Sequence, residues 1–270
     1  MTAADNALSP PYKLAIWRTV KAGYGHTARN FGAFLTAAAL PLALTLLVAA
    51  VMADAPQRRS LTMLHSLLDI MIAAVFQVTW YRHLLFGTPE ARPRLLPRPG
   101  RRLGPYLGYA WFLGALSFPA LFVIGPPGAE LGSTSQIILA VLLLVLALYL
   151  NIRFAFAFLW ISIDEPGRLE TSWRQTRGNG WRLFIVFVLI AIPILGTAVI
   201  GIALTQIFFP EALPGLLAET ASGAPFWIGL AAEQALTYVL YGVSSAAFVH
   251  ALQSLTGWAG NQQEILERFE

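Results

Sequence analysis

The chain contains no cysteine, which excludes disulfides, thiolate metal sites and cysteine nucleophiles. Charge is also scarce. Only 12% of the 270 residues are Asp, Glu, Lys or Arg, against about 25% in a soluble domain. With four histidines in all, a tight zinc site is not expected. The patterns G-x-S-x-G, H-E-x-x-H, Walker A and G-x-G-x-x-G are missing. No enzyme activity, catalytic residue, metal or cofactor is therefore expected.

What is present is apolar: 57% of the residues are hydrophobic. In hydrocarbon a segment must satisfy its own backbone N–H and C=O groups, and a helix does so. The expected fold is an all-α integral membrane protein with six transmembrane helices, arranged as three related hairpins, and two cytoplasmic interfacial helices. The spans are placed at 31–53, 61–83, 105–125, 136–158, 181–208 and 227–254, within one membrane domain covering 1–270. The interfacial helices are placed at 11–29, after Ser9-Pro10-Pro11, and at 166–178, after Asp164-Glu165-Pro166. The first apolar run begins at Phe31 and is longer than the hydrophobic core of a signal peptide, so it is expected to remain as a span. Phe154 to Ile163 extends the fourth span as an oblique continuation.

The sequence pI near 9.6 is explained by topology rather than by nucleic acid. With the N-terminus inside, 16 of the 18 Lys and Arg residues fall on the cytoplasmic side, and only Arg58 and Arg59 lie outside. Both termini are thus expected in the cytoplasm, and the membrane is expected to be the bacterial cytoplasmic (inner) membrane. Five arginines between Thr88 and Arg102 sit in a proline-rich loop that serves as a topology determinant or as a contact for acidic lipid.

The outward-going spans each carry one interior proline, at Pro41, Pro119 and Pro193, spaced 78 and 74 residues apart. A Trp-Arg pair precedes two of them, at Trp17-Arg18 and Trp173-Arg174. These recurrences suggest three hairpins of one plan, as in transporters with parallel repeats. Against that, proline is common in membrane helices.

Few polar residues lie within the spans. His65 and Asp69 are four apart and share a helix face. They are candidates for a proton relay or a cation site, because intramembrane ionisable groups are costly to bury. They also suit a hydrogen-bonded pair that packs the bundle. Glu233 is a third candidate, set to pair with His65 or to face the outer interface, and Thr237 and Tyr241 continue its face. Arg82, Arg153 and His250 end the return helices. They suit anionic headgroups or a phosphorylated ligand, or they snorkel to the interface.

The most patterned stretch is Glu170-Thr171-Ser172-Trp173-Arg174-Gln175-Thr176-Arg177-Gly178-Asn179-Gly180-Trp181-Arg182. It reads as a short surface helix, an elbow and the start of the fifth span. An ideal helix places Trp173, Thr176 and Gly180 on one face. Trp173 and Arg177 join Arg82 and Arg153 as candidate contacts for a lipid headgroup or a partner. The block Ser-Trp-x-x-Thr-Arg-Gly-Asn-x-Trp-Arg, preceded by Arg153 and by Trp80-Tyr81-Arg82-His83-Leu84-Leu85-Phe86-Gly87, resembles bacterial multi-pass proteins. These are similar to the membrane domain fused ahead of some glycerophosphodiester phosphodiesterases. The catalytic barrel and its His-Arg-Gly start are missing. The resemblance therefore implies a membrane fold and an inner-membrane location, and no activity. The expected role is a non-catalytic scaffold, accessory or lipid-associated factor, with membrane lipids and another membrane protein or a second copy as partners. The alternative is a transporter or permease for a small or lipid-like solute that uses Asp69 and Glu233.

Overall fold

Apolar runs bounded by Pro, Gly and charged residues form helices in the computed structural model, which describes residues 13–53, 59–87, 91–94, 102–115, 133–163, 165, 167–208 and 224–258. Among these residues the ordered elements are α1 (Ile16–Arg29), α2 (Phe31–Ala53), α3 (Arg59–Phe86), α4 (Leu103–Ala115) and α5 (Thr134–Arg153), then α6 (Ala155–Ser162), α7 (Leu169–Gln175), α8 (Gly180–Phe208) and α9 (Ala224–Thr256). The fold is all-helical, as expected. Among the described residues four stretches are long and apolar enough to cross a membrane: Phe31–Val51, Thr134–Ser162, Gly180–Leu204 and Trp227–Thr256. They make this a membrane protein. Within them Leu142, Val199, Ile200 and Ile228 are exposed, as a lipid-facing surface requires.

The helix α9 organises the bundle. It packs against α1, α2, α3 and α8. Its second half is lined with small residues, and Gly242, Ala246, Ala247 and Ala251 are all buried. Small side chains let neighbouring backbones approach closely. A Cβ on Gly23 of α1 would lie 2.8 Å from the Val243 carbonyl oxygen, so only glycine fits there. This gives Gly23 a packing reason. On the opposite side of α9, Trp80 is fully buried and its indole N–H donates to the Gly242 carbonyl at 3.0 Å. Phe34 meets its ring edge-on at 5.7 Å between centroids, and Phe76 and Tyr238 extend the chain of edge contacts, at 5.9 Å (Phe34–Phe76) and 5.1 Å (Phe76–Tyr238).

Several boundaries differ from the sequence reading. The helix of the first surface segment begins at Ile16, and Pro11 lies outside the described residues. It does not float beside the bundle: Thr19, Val20, Gly23 and Thr27 are buried, while Trp17 remains 66% exposed. The second surface helix is shorter than 166–178. It spans Leu169–Gln175 and passes through a turn into α8. The fourth span is divided at Phe154, whose φ of −95° and ψ of 2° lie in the bridge region. Pro41 and Pro193 sit inside helices, as placed. Pro119, most of the arginine loop and the second half of the 105–125 span lie outside the described residues.

Candidate functional site

Two polar sites stand out, one at an elbow between helices and one within the bundle. The first is the elbow between α7 and α8. The break at Phe154 frees the Arg153 carbonyl from the helical ladder, since the Ala157 N–H bonds to Phe154 instead. The freed oxygen is capped by the Ser172 hydroxyl of α7, which donates at 2.8 Å, while the Thr176 hydroxyl lies 3.4 Å away and donates to the Ser172 carbonyl at 2.8 Å. The Arg153 side chain folds back on the same segment. Its guanidinium lies over the Trp173 ring at 3.8 Å, donates to the Trp173 carbonyl at 2.9 Å and reaches the Tyr149 hydroxyl at 3.3 Å. Phe154 flanks the same indole, 5.7 Å between centroids. Arg153 is only 7% exposed, and the ion pair found among the described residues, His65–Asp69, does not involve it. Its charge is met by a π face and by carbonyl and hydroxyl dipoles.

The same elbow holds the N-terminal segment. Gly178 adopts a φ of +75°, a left-handed conformation that glycine accepts and that forms the elbow. This turns the buried Asn179 so that its Oδ1 accepts the Leu14 N–H at 2.9 Å. Arg182 donates to the Leu14 carbonyl at 2.8 Å, so both backbone groups of Leu14 are held. Gly180 lies against Tyr149 and Arg153, where a Cβ would approach within 2.6 Å of Arg153 Cδ. The buried face of the segment is Ser172, Thr176, Asn179 and Gly180 rather than Trp173, Thr176 and Gly180. Trp173 is 43% exposed because it covers Arg153 from outside. Asn179 and Arg182 were not among the expected contacts. Nothing in the local pattern points to Leu14, which lies 165 residues before Asn179.

The structure thus joins Arg153 with Trp173 and leaves Arg177 exposed on the surface. Arg82 stands apart. It is half-buried, donates to the Ser162 carbonyl at 3.3 Å and lies over the Phe86 ring at 5.2 Å. In α1, His26 is held below its usual 6.5 by burial and then by the Arg29 charge.

The second site lies between α2, α3 and α9. His65 Nε2 and Asp69 Oδ2 are 3.4 Å apart, as the four-residue spacing implied. Asp69 opens onto a pocket of about 210 Å³ shared with Thr45, Gln234, Thr237, Tyr238 and Tyr241. Thr45 Oγ1 and the Tyr238 hydroxyl are 3.3 Å apart, and Asp69 Oδ1 is buried without a hydrogen-bond partner among the described residues. Glu233 is exposed and does not line the pocket; Gln234 takes that place. Glu233 forms no ion pair with His65. The positions three, four and seven residues after Gln234 are Thr237, Tyr238 and Tyr241, and this spacing was the available signal for its face.

Comparison with family models, with curated proteins and with solved structures finds no match for this chain.

Proposed function

We propose that the protein is a non-catalytic multi-pass protein of the bacterial cytoplasmic membrane, acting as a scaffold or accessory factor anchored to anionic lipid on its basic side. The observation that carries the reading is how the basic end is used. Arg153, Asn179 and Arg182 are consumed in fixing one elbow to Leu14 and Trp173. The exposed Trp173, Arg174, Arg177 and Trp181 are then presented on a rigid support. Aromatic anchors beside guanidinium groups suit the headgroup layer of an anionic leaflet. The resemblance to the membrane domain that accompanies glycerophosphodiester phosphodiesterases fits a partner-dependent role.

The proposal includes six spans in three hairpins with both termini cytoplasmic. The 28-residue α3 is about 42 Å long and packs along α2. With the apolar run 105–125 it brings the four candidate spans to six. A reporter fused after Glu219 should behave as extracytoplasmic, and a cytoplasmic signal there would refute the topology. Native mass spectrometry of the purified protein tests the role. Phosphatidylglycerol or a protein partner should be retained, and it should be lost in the Arg174→Ala/Arg177→Ala variant but kept in Asp69→Asn. Retention of neither sinks the scaffold reading.

The Asp69 pocket supports a second reading, a permease for a small solute. Uptake into proteoliposomes that Asp69→Asn abolishes would favour it over the scaffold.

A further inference from the structure

We infer that the pocket at Asp69 binds a small organic ammonium ion. The inference goes beyond the scaffold role, does not depend on it, and names a ligand class for the pocket on which the permease reading rests.

The sign of the ligand follows from the lining. Among the described lining residues Asp69 is the one carboxylate, and neither Lys nor Arg is present. Oδ2 faces His65, whereas Oδ1 is buried and has no hydrogen-bond partner among the described residues. A buried carboxylate oxygen without a donor is costly, and an ammonium N–H would satisfy it. Further acceptors converge on the same space. The Thr45 and Tyr238 hydroxyls meet at 3.3 Å, and Gln234 contributes an amide carbonyl. The Thr237 hydroxyl donates to the Glu233 carbonyl at 3.0 Å, so its lone pairs remain free to accept. An anion would meet Asp69 with no compensating cation in the lining.

The size of the ligand follows from the volume. One water takes about 30 Å³ of liquid, so a pocket of about 210 Å³ is too large for a bare metal ion held by these side chains alone. Drug-sized ligands use about 300–1,000 Å³, so the pocket is too small for them. Between these limits lies an ammonium with a short aliphatic body. Tyr238 and Tyr241 supply aromatic surface suited to a cation and its methylenes. The access side also follows from the fold. Asp69 lies ten residues into the 28-residue α3 and Gln234 ten residues into the 33-residue α9, so the pocket sits within the bundle, on the side of its midpoint away from the Arg153 elbow. Under the proposed topology that side opens to the outside.

The test uses the full-length protein in detergent at neutral pH, with thermal unfolding read against n-butylammonium chloride. n-Butanol controls for partition into the micelle, and sodium chloride controls for ionic strength. Butylammonium should raise the melting temperature saturably, and the two controls should not. Asp69→Asn should weaken apparent binding at least tenfold. Gln234→Glu adds a second carboxylate to the lining and should tighten it several-fold, which keeps the test decisive if Asp69→Asn does not fold. The proposal is overturned if butanol matches butylammonium, if sodium alone saturates the response, if Asp69→Asn binds as wild type, or if Gln234→Glu leaves affinity unchanged or weaker. Loss of binding would leave the scaffold role standing, because phosphatidylglycerol retention reads out the elbow.

Discussion

The Arg153 guanidinium lies 3.8 Å from the centre of the Trp173 ring and donates a 2.9 Å hydrogen bond to the carbonyl of the same residue. Arg153 ends α5 and Trp173 belongs to α7, twenty residues later. One side chain thus closes the loop that re-enters the bundle, by stacking and by hydrogen bonding at once. A lysine could not do both, because its charge is a point and its stem is flexible.

Replacing Arg153 with alanine removes a desolvated cation–π contact worth about 2 kcal/mol and a charged hydrogen bond worth about 1.5–3 kcal/mol. Partial relaxation of the site should leave a net loss of about 2–4 kcal/mol in unfolding free energy. Arg177→Ala, on an exposed neighbour, should stay within about 0.5 kcal/mol. Arg153→Lys should fall nearer to the alanine variant than to wild type. Denaturation followed by tryptophan fluorescence checks the order. Equal effects at 153 and 177 would show that the Trp173 contact contributes little.

Gly180→Ala should act on the same unit from the other side. Its methyl would sit 2.6 Å from Arg153 Cδ and 2.7 Å from the Tyr149 hydroxyl. Overpacking of this kind costs about 1–3 kcal/mol. Gly104→Ala, at a glycine with open space around it, serves as the control and should be close to neutral. A thermal melt of both variants separates steric cost from general helix propensity, since alanine favours a helix in either place.

Apolar runs and their breakers made the helices legible, because the cost of exposed backbone in hydrocarbon leaves little choice of structure. That is why α2, α8 and α9 begin and end within a few residues of the expected spans. The oblique continuation from Phe154 was legible, but its cause was not. The run from Phe154 to Ile163 is apolar throughout, and the interruption goes with the capture of the Arg153 carbonyl by Ser172. Gln234 escaped notice for a related reason. Charge marked Glu233 as costly to bury, whereas rotation of α9 about its axis decides which neighbour faces α3, and rotation depends on packing at Gly242 and Ala247. Long-range contacts such as Leu14 with Asn179 leave no periodic trace in the chain.

Asn179→Ala should loosen the start of α1. The buried Leu14 N–H would lose the Oδ1 acceptor at 2.9 Å, a loss of about 1–3 kcal/mol for an unsatisfied group. Arg182 would still hold the Leu14 carbonyl, so α1 should stay docked but open more often. Lys13 is exposed next to this contact and reports on it. Limited trypsin digestion should cut after Lys13 faster in Asn179→Ala than in wild type, and faster again in Asn179→Ala/Arg182→Ala. Unchanged cleavage in the double variant would mean that Leu14 is held by packing alone.

The docking of α1 should also respond to pH, through His26. Burial first, and the Arg29 charge second, hold its imidazole below the ordinary value of 6.5. The folded chain therefore favours the neutral ring. As pH falls through about 6.5, the unfolded chain takes up this proton before the folded chain does, so protonation favours unfolding. The contribution is fully present above pH 6.5 and is lost progressively below it. Hydrogen exchange of the Ile16–Arg29 amides at pH 8 and pH 5, corrected for the intrinsic pH dependence of exchange, measures the loss directly. Wild type should lose protection on acidification, and His26→Gln, which cannot gain the charge, should lose less. If both lose the same protection, the acid sensitivity of α1 arises elsewhere and His26 is only a packing residue.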